Sequence, residues 1–204
     1  ESTAVVASLL RQDRPREAYL AWVLLLPPAG YDVLSNVYNG GFDGPPQSGP
    51  FAWTLQRGTT MITQAPGRRG QALSARPVTG GGQSLARQML VLAPGPYRLG
   101  LDARLDVSDG GMDWTLSCGR DAPGSLARLS VERSEDWTAL STVFTVPAGC
   151  EVQRIELWAG GEGGAGGKTP HPFPSPRGGE GLSLPRPPPR RRSRHRRRRH
   201  GLCP

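Results

Sequence analysis

The stretch Asn36–Trp53, NVYNGGFDGPPQSGPFAW, decides the fold class. Glycine and proline punctuate it every few residues, and proline lacks the backbone donor that a helix interior or a central strand requires. It separates two regimes of the chain. Before it, apolar residues recur at helical spacing; after it, they alternate with period two. Beyond Ala159 neither period survives.

Downstream of Val37 the strand signals are short and punctuated. Ala52–Gln56, Thr60–Gln64 and Ala72–Ala75 read as strands between Gly and Pro clusters, and Leu85–Leu92 follows the glycine run 80–82. In Tyr97–Leu105, Tyr97, Leu99, Leu101, Ala103 and Leu105 face one way, while Arg98, Asp102 and Arg104 face the other. That alternation predicts a half-buried strand of an antiparallel sheet. Trp114, Leu116 and Cys118 share a face in the next strand, and Ala127, Leu129 and Val131 in the one after. Leu140–Val146 and Val152–Ala159 close the series. About nine or ten short strands with a turn about every 8–12 residues predict a β-sandwich.

Upstream, residues 2–12 place Val5, Val6, Leu9 and Leu10 on one helical stripe. Residues 15–26 repeat the pattern with Ala18, Trp22 and Leu25, and Tyr19, Val23 and Leu26 lie beside them. Pro15 suits the first turn of the second helix, and Pro27-Pro28 is expected to stop it. Residues 1–28 are thus a helical hairpin. Two readings of it stand: the end of a longer helical region, or a hairpin packed on the β domain itself.

The net charge of +8 suggests a nucleic-acid or membrane binder until it is located. Residues 160–204 hold 11 Lys/Arg and two Glu, whereas residues 1–159 hold 14 Arg, no Lys and 15 Asp/Glu, a net of −1. The tail carries 10 Gly and 9 Pro, with eight Arg among residues 190–199. Such a composition cannot bury enough apolar surface to offset chain ordering, so disorder is expected. Its TPHPFPSPRGGEG looks like the translation of an intergenic repeat of GC-rich bacterial genomes, which makes read-through the reading of the tail. Nucleic-acid binding through the Arg run is the least favoured function. The apolar run Ala21–Leu26 is far shorter than the roughly 20 residues a membrane span needs. No targeting signal is visible.

Enzyme chemistry finds no support. There is no G-x-S-x-G and no P-loop, and His171, His195 and His200 all fall in the tail. The carboxylate pairs Asp106/Asp109 and Glu135/Asp136 sit in turns, where acidic residues are ordinarily solvated. Cys118 and Cys150 either form a disulfide, which implies an oxidising compartment, or remain two buried thiols. Cys203 lies in the tail.

Three further stretches share a family's order. N-x-x-N-G-G-F-D with Pro-Phe-x-Trp opens the domain; LARQMLVLAPGPYRLGLDARL and WTALSTVFTVPAGCEVQRIELW occupy its middle and close, and GTTMITQAPGRRGQALSAR lies between. Together they resemble the galactose-binding-like jelly rolls, with family 4/9 carbohydrate-binding modules the nearest match. The resemblance implies a jelly-roll domain over residues 34–159, with Trp53 and Trp114 in its core. Asp43 matches a position where family members carry an acidic residue that helps hold a structural calcium; no other cofactor is implied. R-x-x-E-A-Y-x-x-W in the hairpin resembles the last unit of a tetratricopeptide array. This implies missing N-terminal helical repeats and a bacterial envelope or periplasmic protein.

The binding residues come from alternation. Sugar rings stack their C–H faces on Trp while polar neighbours bond the hydroxyls. Arg154, Glu156 and Trp158 are expected to point outward from the last strand, and Arg98 and Asp102 outward from Tyr97–Leu105. These five are the candidate ligand-binding residues. The expected function is a non-catalytic module binding polysaccharide, the alternative a structural domain whose same face meets a protein partner.

Overall fold

A computed structural model describes residues 2–76, 82–105, 111–119 and 124–160. The expected disorder of the tail, its Cys203 and the Asp106/Asp109 pair lie outside the described residues. Helices α1 (Ser2–Arg11) and α2 (Pro15–Val23) are joined by Asp13 in the left-handed region at φ 55°. Pro15 stands at the start of α2, where its missing N–H costs nothing. α2 ends at Val23, ahead of Pro27-Pro28 as expected; Pro27 is extended, and Pro28 opens a further one-turn helix, α3 (Pro28–Tyr31). The preset φ of proline suits a first helical position as well as a stop.

The hairpin packs on the β domain. Val6, Ala18, Trp22 and Leu26 are buried with Tyr38, Phe51 and Ala52, and Met89 and Val91 pack beside them. The Trp22 ring lies 4.8 Å from Tyr38 and 5.8 Å from Phe51, and its indole N–H donates to the Ser48 carbonyl at 3.2 Å. The Asn36–Trp53 loop is therefore the floor under the helices. Asn39, at φ 47°, holds that loop in shape: its Oδ1 accepts from Gly44 N–H at 2.8 Å and its carbonyl from the Trp53 indole at 3.1 Å. Helices and strands belong to one compact unit, Glu1–Ala165.

Nine strands are described: β1 (Thr54–Leu55), β2 (Thr60–Gln64), β3 (Gln71–Ala75), β4 (Gln83–Leu90), β5 (Gly95–Leu105), β6 (Met112–Cys118), β7 (Gly124–Val131), β8 (Ser134–Val146) and β9 (Gln153–Ala159). One antiparallel sheet has five strands in the order β1-β4-β9-β6-β7; β2 pairs with β3, and β5 with β8. The result is mainly β, as the alternation predicted. Leu90, Leu116, Ala127 and Ile155 of the five-stranded sheet pack against Phe144 and Val146 of β8, with Tyr97 and Leu99 of β5 alongside. A second cluster joins Ala86, Met112, Val131 and Leu157 to Leu73 of β3, Ala103 of β5 and Leu140 of β8. Two layers enclose one interior, a sandwich. Trp53 and Trp114 meet edge to face at 5.8 Å within it.

Cys118 and Cys150 are joined by a disulfide with Cα atoms 5.6 Å apart, tying the end of β6 to the turn before β9. Beside it, buried Gln153 uses its side chain to accept from Leu92 N–H at 2.7 Å and donate to the Cys150 carbonyl at 2.6 Å. Those bonds satisfy backbone groups that the sheet ladder leaves open.

Candidate functional site

Register fixes which residues share the outer face of the five-stranded sheet. Since Ile155 and Leu157 turn inward, Arg154, Glu156 and Trp158 of β9 turn outward. Two rows cross the sheet there. Arg87, Glu156, Thr115 and Arg128 are successive register partners on β4, β9, β6 and β7. Ser84, Trp158, Asp113 and Ser130 form the second row. A register shift between Ser84 and Ala86 interrupts β4 here, the kind of irregularity that re-aims side chains at an edge.

The carboxylates of this face are compensated. Glu156 is only 5% exposed, contrary to the exposed position expected for it. Ser84 Oγ donates to its Oε1 at 2.5 Å, and Arg154 lies 3.4 Å from its Oε2. Asp113 accepts from Arg128 at 2.5 Å and from Ser130 Oγ at 2.7 Å. Burial pushes the Asp113 carboxyl up, but the hydrogen bonds from Arg128 and Ser130 and the Arg128 charge outweigh it, leaving the group below its ordinary value. Buried charges are tolerated when paired and hydrogen-bonded in this way.

Trp158 differs from the other tryptophans. Trp22, Trp53 and Trp137 donate their indole N–H groups to the carbonyls of Ser48, Asn39 and Pro66, and Trp114 meets Trp53 edge to face. Half-buried Trp158 has neither a ring partner nor an indole acceptor among the described residues. A buried indole N–H ordinarily finds a partner inside the protein, as those of Trp22 and Trp53 do.

The other two candidate ligands lie elsewhere. Leu99 and Leu101 of β5 alternate with exposed Arg98 and Asp102, which face out of the opposite layer. The five residues therefore divide between two faces of the sandwich and cannot grip one ligand together. Alternation assigns inside and outside correctly but carries no information on which sheet a strand joins. Asp102 pairs with Arg68 at 2.5 Å, Arg68 lies 5.1 Å from the centre of the Trp137 ring, and the Trp137 indole reaches the Pro66 carbonyl at 2.8 Å. That cluster fastens the turn between β2 and β3 to the second layer. Arg98 reaches Ser141 Oγ at 3.3 Å on the same face.

Asp43 also has a local task. Its Oδ1 accepts the Gln71 N–H at 2.7 Å, at the start of β3. Among the described residues no group of three or more His, Cys, Asp or Glu is arranged to hold a metal ion.

Sequence reasoning missed Asp113, Arg128, Ser130, Ser84 and Arg87 as members of the face. The alternation in Met112–Cys118 already turned Asp113 and Thr115 away from the core. Only the pairing of β9 with both β4 and β6 brings them around Trp158.

No family model matches the chain, and no curated protein matches it. Among solved structures it is similar to one titled for the structure and function of a CBM4, at 18% identity and TM-score 0.42, covering 61% of this chain and 89% of that one. A CBM61 in complex with β-1,4-galactotriose is similar at 15% identity and TM-score 0.43, covering 63% and 88%. A carbohydrate-binding module of a Cellvibrio mixtus lichenase in complex with cellotriose is similar at 16% identity and TM-score 0.35, covering 54% and 89%.

Proposed function

We propose that the chain is a non-catalytic glycan-binding module and that the outer face of the five-stranded sheet is its binding face. The observation that carries this reading is Trp158, half-buried in a row of polar side chains and without a partner among the described residues. Pyranose rings stack on such a surface, and the surrounding hydroxyl, carboxylate and guanidinium groups match sugar hydroxyls. The disulfide supports an oxidising compartment, the periplasm or cell envelope. Affinity electrophoresis of the chain through gels containing single polysaccharides tests the reading. Retardation by one glycan, lost in Trp158→Ala while the fold persists, is expected; a folded chain retarded by none overturns it.

A second reading is favoured by the helices. Leu20, Leu24 and Leu25 of α2 and its C-terminal turn are 61%, 78% and 46% exposed, and Val5 of α1 is 55% exposed. An exposed apolar patch of this kind marks an interaction surface. On this reading the hairpin continues a helical-repeat region, and the sandwich is a structural interaction domain with no sugar ligand. It predicts a chain that ignores every glycan but associates through the leucine patch, and that loses the association in Leu24→Glu.

A further inference from the structure

We infer that the glycan is acidic, a uronate-containing polymer, with one sugar carboxylate seated on Arg87 beside Trp158. This inference rests on the proposed binding face and adds the ligand's charge. Among the described residues three guanidinium groups lie on that face, those of Arg87, Arg128 and Arg154, against two carboxylates, Asp113 and Glu156. Arg128 is engaged by Asp113, and Arg154 by Glu156. Arg87 is exposed and has no hydrogen-bond or ion-pair partner among the described residues. Each buried acid is thus already compensated, and the charge left over is the one on Arg87.

Position and chemistry then coincide. Arg87 is the register partner of Glu156, two residues from Trp158 along the same face of β9. Diagonal neighbours across a sheet lie about 7–8 Å apart, within reach of long side chains. A hexuronate ring lying on the indole would present its carboxylate at its rim. Guanidinium binds carboxylate through two parallel N–H donors, a geometry that a hydroxyl cannot match. Among the described residues Trp158 and Arg87 thus offer a stacking surface and an anion fork on neighbouring strands, which together suit one acidic sugar residue. A neutral polymer would use the first and leave the second idle.

The test uses the full chain and four probes: polygalacturonate, alginate, and the methyl ester of each. Esterification keeps the sugar backbone and removes its charge. Affinity electrophoresis at pH 7 is expected to show at least about tenfold stronger binding to one polyuronate than to its ester, since hydrogen bonds to charged groups contribute about that factor. Arg87→Gln should bring the polyuronate down to the level of its ester, and Trp158→Ala should remove binding to both. Binding of a polyuronate that is unchanged in both variants would assign the attraction to the Arg-rich tail and overturn the inference. Equal binding of a polyuronate and its ester, lost in Trp158→Ala, overturns it while leaving the glycan-binding face intact. No binding to any probe overturns the inference, and retardation by a neutral glycan in the wider panel would then show that the binding face itself survives.

Discussion

Trp22→Ala asks whether the helices are part of the β domain or an appendage to it. A tryptophan buries about 150–250 Å², and Trp22 retains only 4% of its exposure. At about 25 cal/mol per Å² that burial is worth about 4–6 kcal/mol. Alanine keeps the β-carbon, and a compact denatured chain already hides part of the ring, which lowers the loss to about 3–5 kcal/mol. With a urea slope of about 2 kcal/mol/M, the midpoint should fall by about 1.5–2.5 M. The assay is urea unfolding of the full chain, followed by far-ultraviolet circular dichroism and by tryptophan fluorescence. Because Trp22 touches Tyr38 and Phe51, which belong to the loop that also holds Trp53, both signals should move together. Leu24→Ala, at a side chain 78% exposed, should shift the midpoint by less than about 0.3 M. A Trp22→Ala shift below about 0.5 M, or loss of the helical signal in a separate early transition, would refute the packing argument.

Three further outcomes are expected. Reducing the Cys118–Cys150 disulfide, which spans a sequence separation of 32, should cost about 3–4 kcal/mol through the freedom returned to the unfolded chain, read as a lower Tm in dithiothreitol. Asp113 has its folded pKa below its unfolded value, so its pairing contributes full stability above about pH 4–5 and loses it as pH falls through the folded value. Asp113→Asn should therefore flatten the acid limb of a stability–pH curve, and an unchanged limb would refute the assignment. Asp102→Ala breaks a pair whose side chains are 42% and 47% exposed, so it should cost less than about 1 kcal/mol and leave glycan retardation unchanged, because it lies on the layer opposite Trp158. A loss of retardation in that variant would move the binding face to the second layer.

Much of the architecture was written in local pattern. The alternation of Tyr97–Leu105 showed its buried face directly, because a strand's side chains change sides at every residue. The same rule turned Trp158 outward from Ile155 and Leu157 without any knowledge of its neighbours. Pro27-Pro28 marked the end of the second helix, but α3 beyond it was not legible, because proline suits the start of a helix as well as its end and composition alone does not choose. Spacing likewise could not say where the hairpin packs; Tyr38 and Phe51 had to arrive beneath Trp22 from a loop more than ten residues away.

The candidate site lay further from reach. Sequence by itself determined which side of each strand a residue occupies. Only the tertiary structure decided which outward residues meet. The order β1-β4-β9-β6-β7 places the last strand in the middle of the sheet, between segments far from it in sequence. Glu156 therefore meets Ser84 and becomes buried, Asp113 becomes the neighbour of Trp158, and Arg98 and Asp102 pass to the opposite layer. Facing is a property of one strand's geometry; adjacency is a property of pairing between distant strands, and it carries no signature in either strand alone.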